Sequence, residues 1–221
     1  MMSLEEIEQR LAAARQRREA AGEAMRRRWQ GGELEQFRLA HDVVLDLERE
    51  VAAAKGEEYA VPLDFPVEWD VGAPLPHLLR SDYRTLLSFY AREPVRDESA
   101  IKISTATDPD EELLAVVEFT GCVSAKLGSP NDEVQNGHAL YRRGLDSYTA
   151  QRVVHSRWLA ELEAINSVHA CYNPARWAEL SHYVFWFHDT TFECIAKSYT
   201  VELHRESLAA MLERMCRRLI S

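Results

Sequence analysis

The stretch HYVFWFHDTTFECIA, residues 182–196, can fold in very few ways. Aromatic and β-branched residues crowd both sides of His188-Asp189-Thr190-Thr191, and such side chains favour a pleated surface. The polar tetrad between them has turn chemistry. An antiparallel β-hairpin is predicted, with Phe187 facing Phe192, Phe185 facing Cys194 and Tyr183 facing Ala196. Asp-Thr suits a two-residue turn poorly, because that turn needs positive φ at both positions, so a four-residue loop from His188 to Thr191 is expected. Parity then sorts the side chains. Tyr183, Phe185, Phe187, Phe192, Cys194 and Ala196 go to one face, the core. His182, Val184, Trp186, His188, Thr191, Glu193, Ile195 and Lys197 go to the other.

In that register His188 and Glu193 are diagonal neighbours, about 7–8 Å apart at the backbone, close enough for the side chains to meet. An imidazole beside a carboxylate is an acid/base or metal-ligand pair, with Asp189 next to it as a third polar group. These three are the candidate catalytic residues. A polar segment, residues 128–148, adds Asn131, Asp132, Glu133 and His138, and Trp186 adds an aromatic surface for a ligand. If the segment folded over the hairpin, His138, His188 and Glu193 would be candidates for holding a divalent metal. The bland alternative is a His–Glu pair supporting a turn.

The remaining pattern is α+β: a mainly antiparallel sheet flanked by helices, preceded by an N-terminal antiparallel helical hairpin. In residues 1–56, Leu4, Ile7, Leu11, Ala14, Ala21 and Met25 follow a helical spacing. Phe37, Ala40, Val44, Leu47, Val51 and Ala54 repeat it after Gly31-Gly32. Each stripe is narrow, as in a coiled-coil seam, so this hairpin is expected to dock on something or to oligomerise. Residues 57–79 are a Pro-rich connector, pinned by Tyr59, Phe65 and Trp69. Residues 80–221 form the main domain. Strands are expected at 100–106, 113–119, 121–127 and 151–154, with a turn at 107–110. Helices are expected from Ser156 to about Val168, from Pro174 to about Leu180, and from Glu206 to Ile220.

Four quoted segments carry a resemblance. They are Pro130-Asn131-Asp132-Glu133, Gly137-His138, Ser156-x-Trp158-x-x-Glu161-Leu162 and His188-Asp189-x-Thr191-Phe192-Glu193-Cys194. Together they resemble a group of uncharacterised bacterial proteins over roughly residues 58–203. The resemblance implies a bacterial domain and carries over no activity; the N-terminal helices lie outside it.

Composition narrows the function classes. The net charge is −10, and residues 56–221, with 25 acidic against 16 basic side chains, hold most of it. That balance disfavours nucleic acid as a partner. No apolar run approaches the roughly 20 residues of a membrane span. Residues 1–10, MMSLEEIEQR, lack the apolar core of a signal peptide. The four cysteines form no CxxC pair and read as reduced thiols of a cytoplasmic protein. Phosphate-loop, dinucleotide, zincin and serine-elbow motifs are absent. The expectation is a non-catalytic protein-binding or assembly module, acidic and possible to compare with immunity or inhibitor proteins, self-associating through residues 3–55 and needing no cofactor. The alternative is a small metal-assisted hydrolase built from the 128–148 segment and the 182–196 hairpin.

Overall fold

The computed structural model describes residues 2–28, 32–92 and 111–220. It is α+β, with two N-terminal helices followed by antiparallel sheets. The strand expected at 100–106 and the turn at 107–110 lie outside the described residues. Among the described residues, no helix is long and apolar enough to cross a membrane. The chain divides into two compact units. One comprises Met1–Val61, Asn136–Asp146 and Val153–Ser156; the other comprises Pro62–Gln135, Ser147–Arg152 and Arg157–Ser221. The first boundary, between Val61 and Pro62, falls inside the expected 57–79 connector, and Asn136–Asp146 and Val153–Ser156 group with the N-terminal helices.

In the first unit, α1 (Leu4–Arg27) begins at a capping box: the Glu6 amide donates to Ser3 Oγ and the Ser3 amide to Glu6 Oε2. α2 (Glu33–Ala54) runs back along it. Antiparallel pairing follows from Lys55 on Glu8, Arg15 on Glu48, and Gly22 against the Phe37 ring. The seam is Ile7, Leu11 and Ala14 against Val44, Leu47 and Val51, a subset of the expected stripes.

α2 also clamps the rest of its unit, and it does so with polar groups. Arg49 Nε donates to the carbonyl of Ala60 at 2.9 Å, and its Nη2 donates to that of Gly144 at 3.1 Å. Ala60 lies in β1 (Tyr59–Pro62), and its amide donates to the Arg143 carbonyl. His41 Nε2 lies 3.1 Å from Asp146 Oδ1. Arg49 thus serves backbone carbonyls of β1 and of the 143–146 turn.

The second unit contains β2 (His77–Arg80), β3 (Thr85–Tyr90), β4 (Glu112–Thr120), β5 (Ser124–Gly128), β7 (Ser181–Trp186), β8 (Thr191–Ala196) and β9 (Ser198–Glu206), with part of β6 (Ala150–Val154). One sheet has the order β2-β3-β4-β9, and the other runs β6-β7-β8-β5. The two sheets face each other across one core. Leu87 and Phe89 of β3 and Ala115, Val117 and Phe119 of β4 meet Phe185, Phe192 and Cys194 of the hairpin. All six residues that parity assigned to the inner face are in this core. The connector is pinned there too: Trp69 stacks on Phe185 at 5.9 Å, and Phe65 lies edge-on to it at 4.9 Å. Such aromatic pairs add roughly 0.5–1.5 kcal/mol each beyond area burial.

The opposite face of the first sheet, Leu86, Tyr90, Leu114 and Val116, is covered by α5 (Leu208–Ile220) through Leu208, Met211 and Met215. α3 (Arg157–Asn166) lies against β7, and the short α4 (Pro174–Ala178) follows it. α5 matches its expected inward face. β9 was not anticipated from the pattern. Its strand is polar along most of its length, and only Tyr199 and Val201 pack on the core.

Candidate functional site

The hairpin turn is one residue earlier than expected. The Phe187 amide donates to the Thr190 carbonyl at 3.0 Å, which leaves His188 and Asp189 as the two central residues. Neither has positive φ. Phe185 therefore faces Phe192, Tyr183 faces Cys194 and Val184 faces Glu193. The register is displaced by two residues from the expected one. A shift of two preserves parity, which is why the faces were right and the partners were not. The turn is anchored from outside: the Asp132 amide donates to the His188 carbonyl, and Thr191 Oγ1 donates to the Pro130 carbonyl at 2.8 Å.

This displacement moves the diagonal neighbour of Glu193 from His188 to His182. His182 Nε2 lies 2.9 Å from Glu193 Oε2, and both side chains are buried. The second carboxylate oxygen of Glu193 takes Lys126 Nζ at 2.8 Å. Lys126, on β5, rests its ammonium 4.6 Å from the centre of the Trp158 ring, and Trp158 of α3 meets His182 edge-on at 5.1 Å. A carboxylate with two cationic or proton-donating partners under an aromatic lid is a compact charge network. The low-dielectric setting of the His182–Glu193 bond strengthens it and makes loss of either partner costly, whereas Lys126, more than half exposed, stays within reach of water.

His188 has a different set of neighbours. Its Nδ1 is 2.9 Å from Asp189 Oδ1 and its Nε2 is 3.9 Å from Asp132 Oδ2. Tyr148, at φ +59°, donates its hydroxyl to the same Asp132 oxygen at 2.5 Å. Burial and the Asp132 carboxylate push the Tyr148 phenol up to about 12. Pro130, Asp132 and Tyr148 of the expected 128–148 segment do reach the hairpin, then, but at its tip. Asp132, Glu133, His188 and Asp189 gather there, with Glu133 exposed and Asn131 half-buried beside them.

The other expected site residues lie elsewhere. His138 belongs to the first unit, where its Nδ1 accepts the Leu140 amide at 3.2 Å. Trp186 is wholly buried in the second unit. Among the described residues, no group of three or more His, Cys, Asp or Glu side chains is arranged to hold a metal ion. Tyr148, His182, Lys126 and Trp158 were not in the expected set. Parity already placed His182 on the face of Glu193, so a register shorter by two would have found that pair. No sequence signal marks Tyr148.

The tip makes a pH-dependent statement. The Asp189 carboxylate, with Asp132 and Glu133 behind it, raises the His188 imidazole above its ordinary value of 6.5. Charged His188 therefore stabilises the fold below pH 6.5, and that contribution is lost as pH rises through the raised value. The ring is 43% exposed, so solvent screens the effect and it stays small. Titration of the His188 ring by NMR should give a midpoint above 6.5, falling in Asp189→Asn. An unchanged midpoint in that variant would remove Asp189 as the cause.

No protein-family model, curated protein or solved structure matches the chain.

Proposed function

We propose that this protein is a non-catalytic binding and assembly module that self-associates through its N-terminal helices. The observation that carries this is on α2. Val44, Leu47 and Val51 face α1, yet Leu39 and Val43, one turn apart on the flank, are 57% and 49% exposed. Residues four apart on a helix lie side by side. An adjacent apolar pair on a long, well-formed helix is the kind of anchor around which a helix–helix interface is built. A second copy of α2 crossing at this flank would cover both residues and extend a helical pair into a four-helix contact. The acidic excess of residues 56–221, with Asp132, Glu133 and Asp189 gathered at the hairpin tip, suits a basic partner for the assembled module.

Light scattering on the full chain at about 100 µM tests it, that being a concentration at which a moderate dimer is well populated. The wild type should have about twice the chain mass of 25.3 kDa. A Leu39→Lys, Val43→Lys variant should return to the monomer mass with its circular dichroism unchanged. A wild-type mass that stays at 25.3 kDa overturns self-association.

A further inference from the structure

We infer that Cys122 and Cys194 form a reactive dithiol that closes to a disulfide when a hydroperoxide oxidises Cys122. The two residues are 72 positions apart in sequence, yet the Val123 amide donates to the Ile195 carbonyl at 2.9 Å, which seats the Cys122 turn against β8 beside Cys194, and both side chains pack in the same core. Their settings differ in the way such a pair requires. Cys122 occupies the turn between β4 and β5, half-buried, with Gly121 and Val123 on either side exposed to solvent. Cys194 is on β8 with its side chain wholly buried in the core between the sheets. Cys122 thus sits at the edge of the core on an exposed turn, whereas Cys194 is closed off from solvent.

The surroundings of Cys122 favour a thiolate. Arg80 Nη2 donates to the Val123 carbonyl at 2.9 Å, which holds its guanidinium beside the turn. The protonated thiol donates to the Ser124 carbonyl at 3.3 Å, and the buried Thr85 hydroxyl favours the deprotonated sulfur. The Cys194 thiol, then Thr85 and Arg80, acting against burial, bring Cys122 down to about 6. Burial and the adjacent Cys122 push Cys194 well up, so that it keeps its proton. An acidic, partly exposed thiol in an electropositive pocket is the susceptible kind.

The chemistry balances with the hydroperoxide as sole oxidant. The Cys122 thiolate attacks one peroxide oxygen, the O–O bond breaks, and the departing oxygen leaves as water or alcohol after taking a proton from solvent. Cys122 is then a sulfenic acid. The Cys194 sulfur attacks the Cys122 sulfur, the S–O bond breaks, and the hydroxide leaves with the Cys194 proton as water. Two thiols lose two electrons and one peroxide gains them.

The test uses the full chain with exposed Cys171 and Cys216 replaced by serine, so that neither can form bonds between molecules. Reduced protein is treated with one equivalent of hydrogen peroxide, alkylated, and mapped by peptide mass spectrometry. The expected product is a Cys122–Cys194 disulfide, with a melting temperature roughly 5 °C or more above that of the reduced protein. In Cys194→Ala, Cys122 should stop at the sulfenic acid and be trapped by dimedone. Alkylation of native Cys122 by iodoacetamide should rise with a midpoint near pH 6. Recovery of both thiols unoxidised, or Cys122 carried to the sulfinic acid with Cys194 still alkylatable after unfolding, overturns the inference. If Cys194→Ala does not fold, the disulfide map and the iodoacetamide profile of the parent chain decide it alone.

Discussion

Gly144→Ala should melt the first unit roughly 10 °C below the wild type, a loss of about 3 kcal/mol. Gly144 is at φ +78°, a backbone conformation that costs an L side chain roughly 1–2 kcal/mol. A Cβ there would also sit 2.5 Å from Arg49 Cγ and 2.7 Å from the carbonyl oxygen of Ala60. Arg49 could retreat only by abandoning its bonds to the Ala60 and Gly144 carbonyls, which are the clamp between α2 and the 143–146 turn. Gly137→Ala is the control, because nothing lies within 4 Å of a Cβ at that position. Thermal unfolding followed at the helical band measures both. Equal melting temperatures for the two variants would mean that the clamp does not hold the unit together.

Glu193→Ala is expected to destabilise the second unit by about 2–3 kcal/mol, whereas His188→Ala should cost less than about 0.5. The difference comes from burial. Glu193 and His182 are both nearly inaccessible, so removing the carboxylate takes a buried hydrogen bond from the imidazole and withdraws the counter-charge of Lys126. The value is set below that of a fully buried pair because Lys126 is more than half exposed and water can take over its charge. His188 faces solvent and exchanges one hydrated state for another. A double-mutant cycle between His182 and Glu193 under chemical denaturation should show coupling above about 0.5 kcal/mol, and one between His188 and Glu193 should show none. Coupling on the second cycle and not the first would restore the register first expected for the hairpin.

That contrast shows what the sequence could reveal of the site. The alternation of Tyr183, Phe185, Phe187, Phe192, Cys194 and Ala196 assigns the core face, because every shift by two residues keeps the same residues inside. The same property hides the partner of Glu193. Its register is set by where the turn closes, and the turn is held by the Asp132 amide and the Pro130 carbonyl, contacts between distant segments that no local pattern encodes. The first unit was legible as far as its apolar seam. Its attachment to residues 136–146 was not, because Arg49, Glu48 and His41 make it through backbone groups and carboxylates. β9 was missed for a related reason. Glu202, His204, Arg205 and Glu206 look like a helix approach, yet Glu202 is there to meet Arg218 of α5.

β9 has a consequence for how the sheets come together. It pairs with β4 along nine residues, from Thr120 opposite Ser198 to Glu112 opposite Glu206, across a loop of roughly 80 residues. The β7–β8 ladder closes across a two-residue turn and needs almost no such search. Loop-closure entropy therefore orders their formation: the aromatic hairpin can assemble locally, while the β4–β9 ladder must wait for the intervening chain to become compact. The strands that recognise each other by sequence pattern are the early ones. The polar strand that escaped that pattern completes its sheet late.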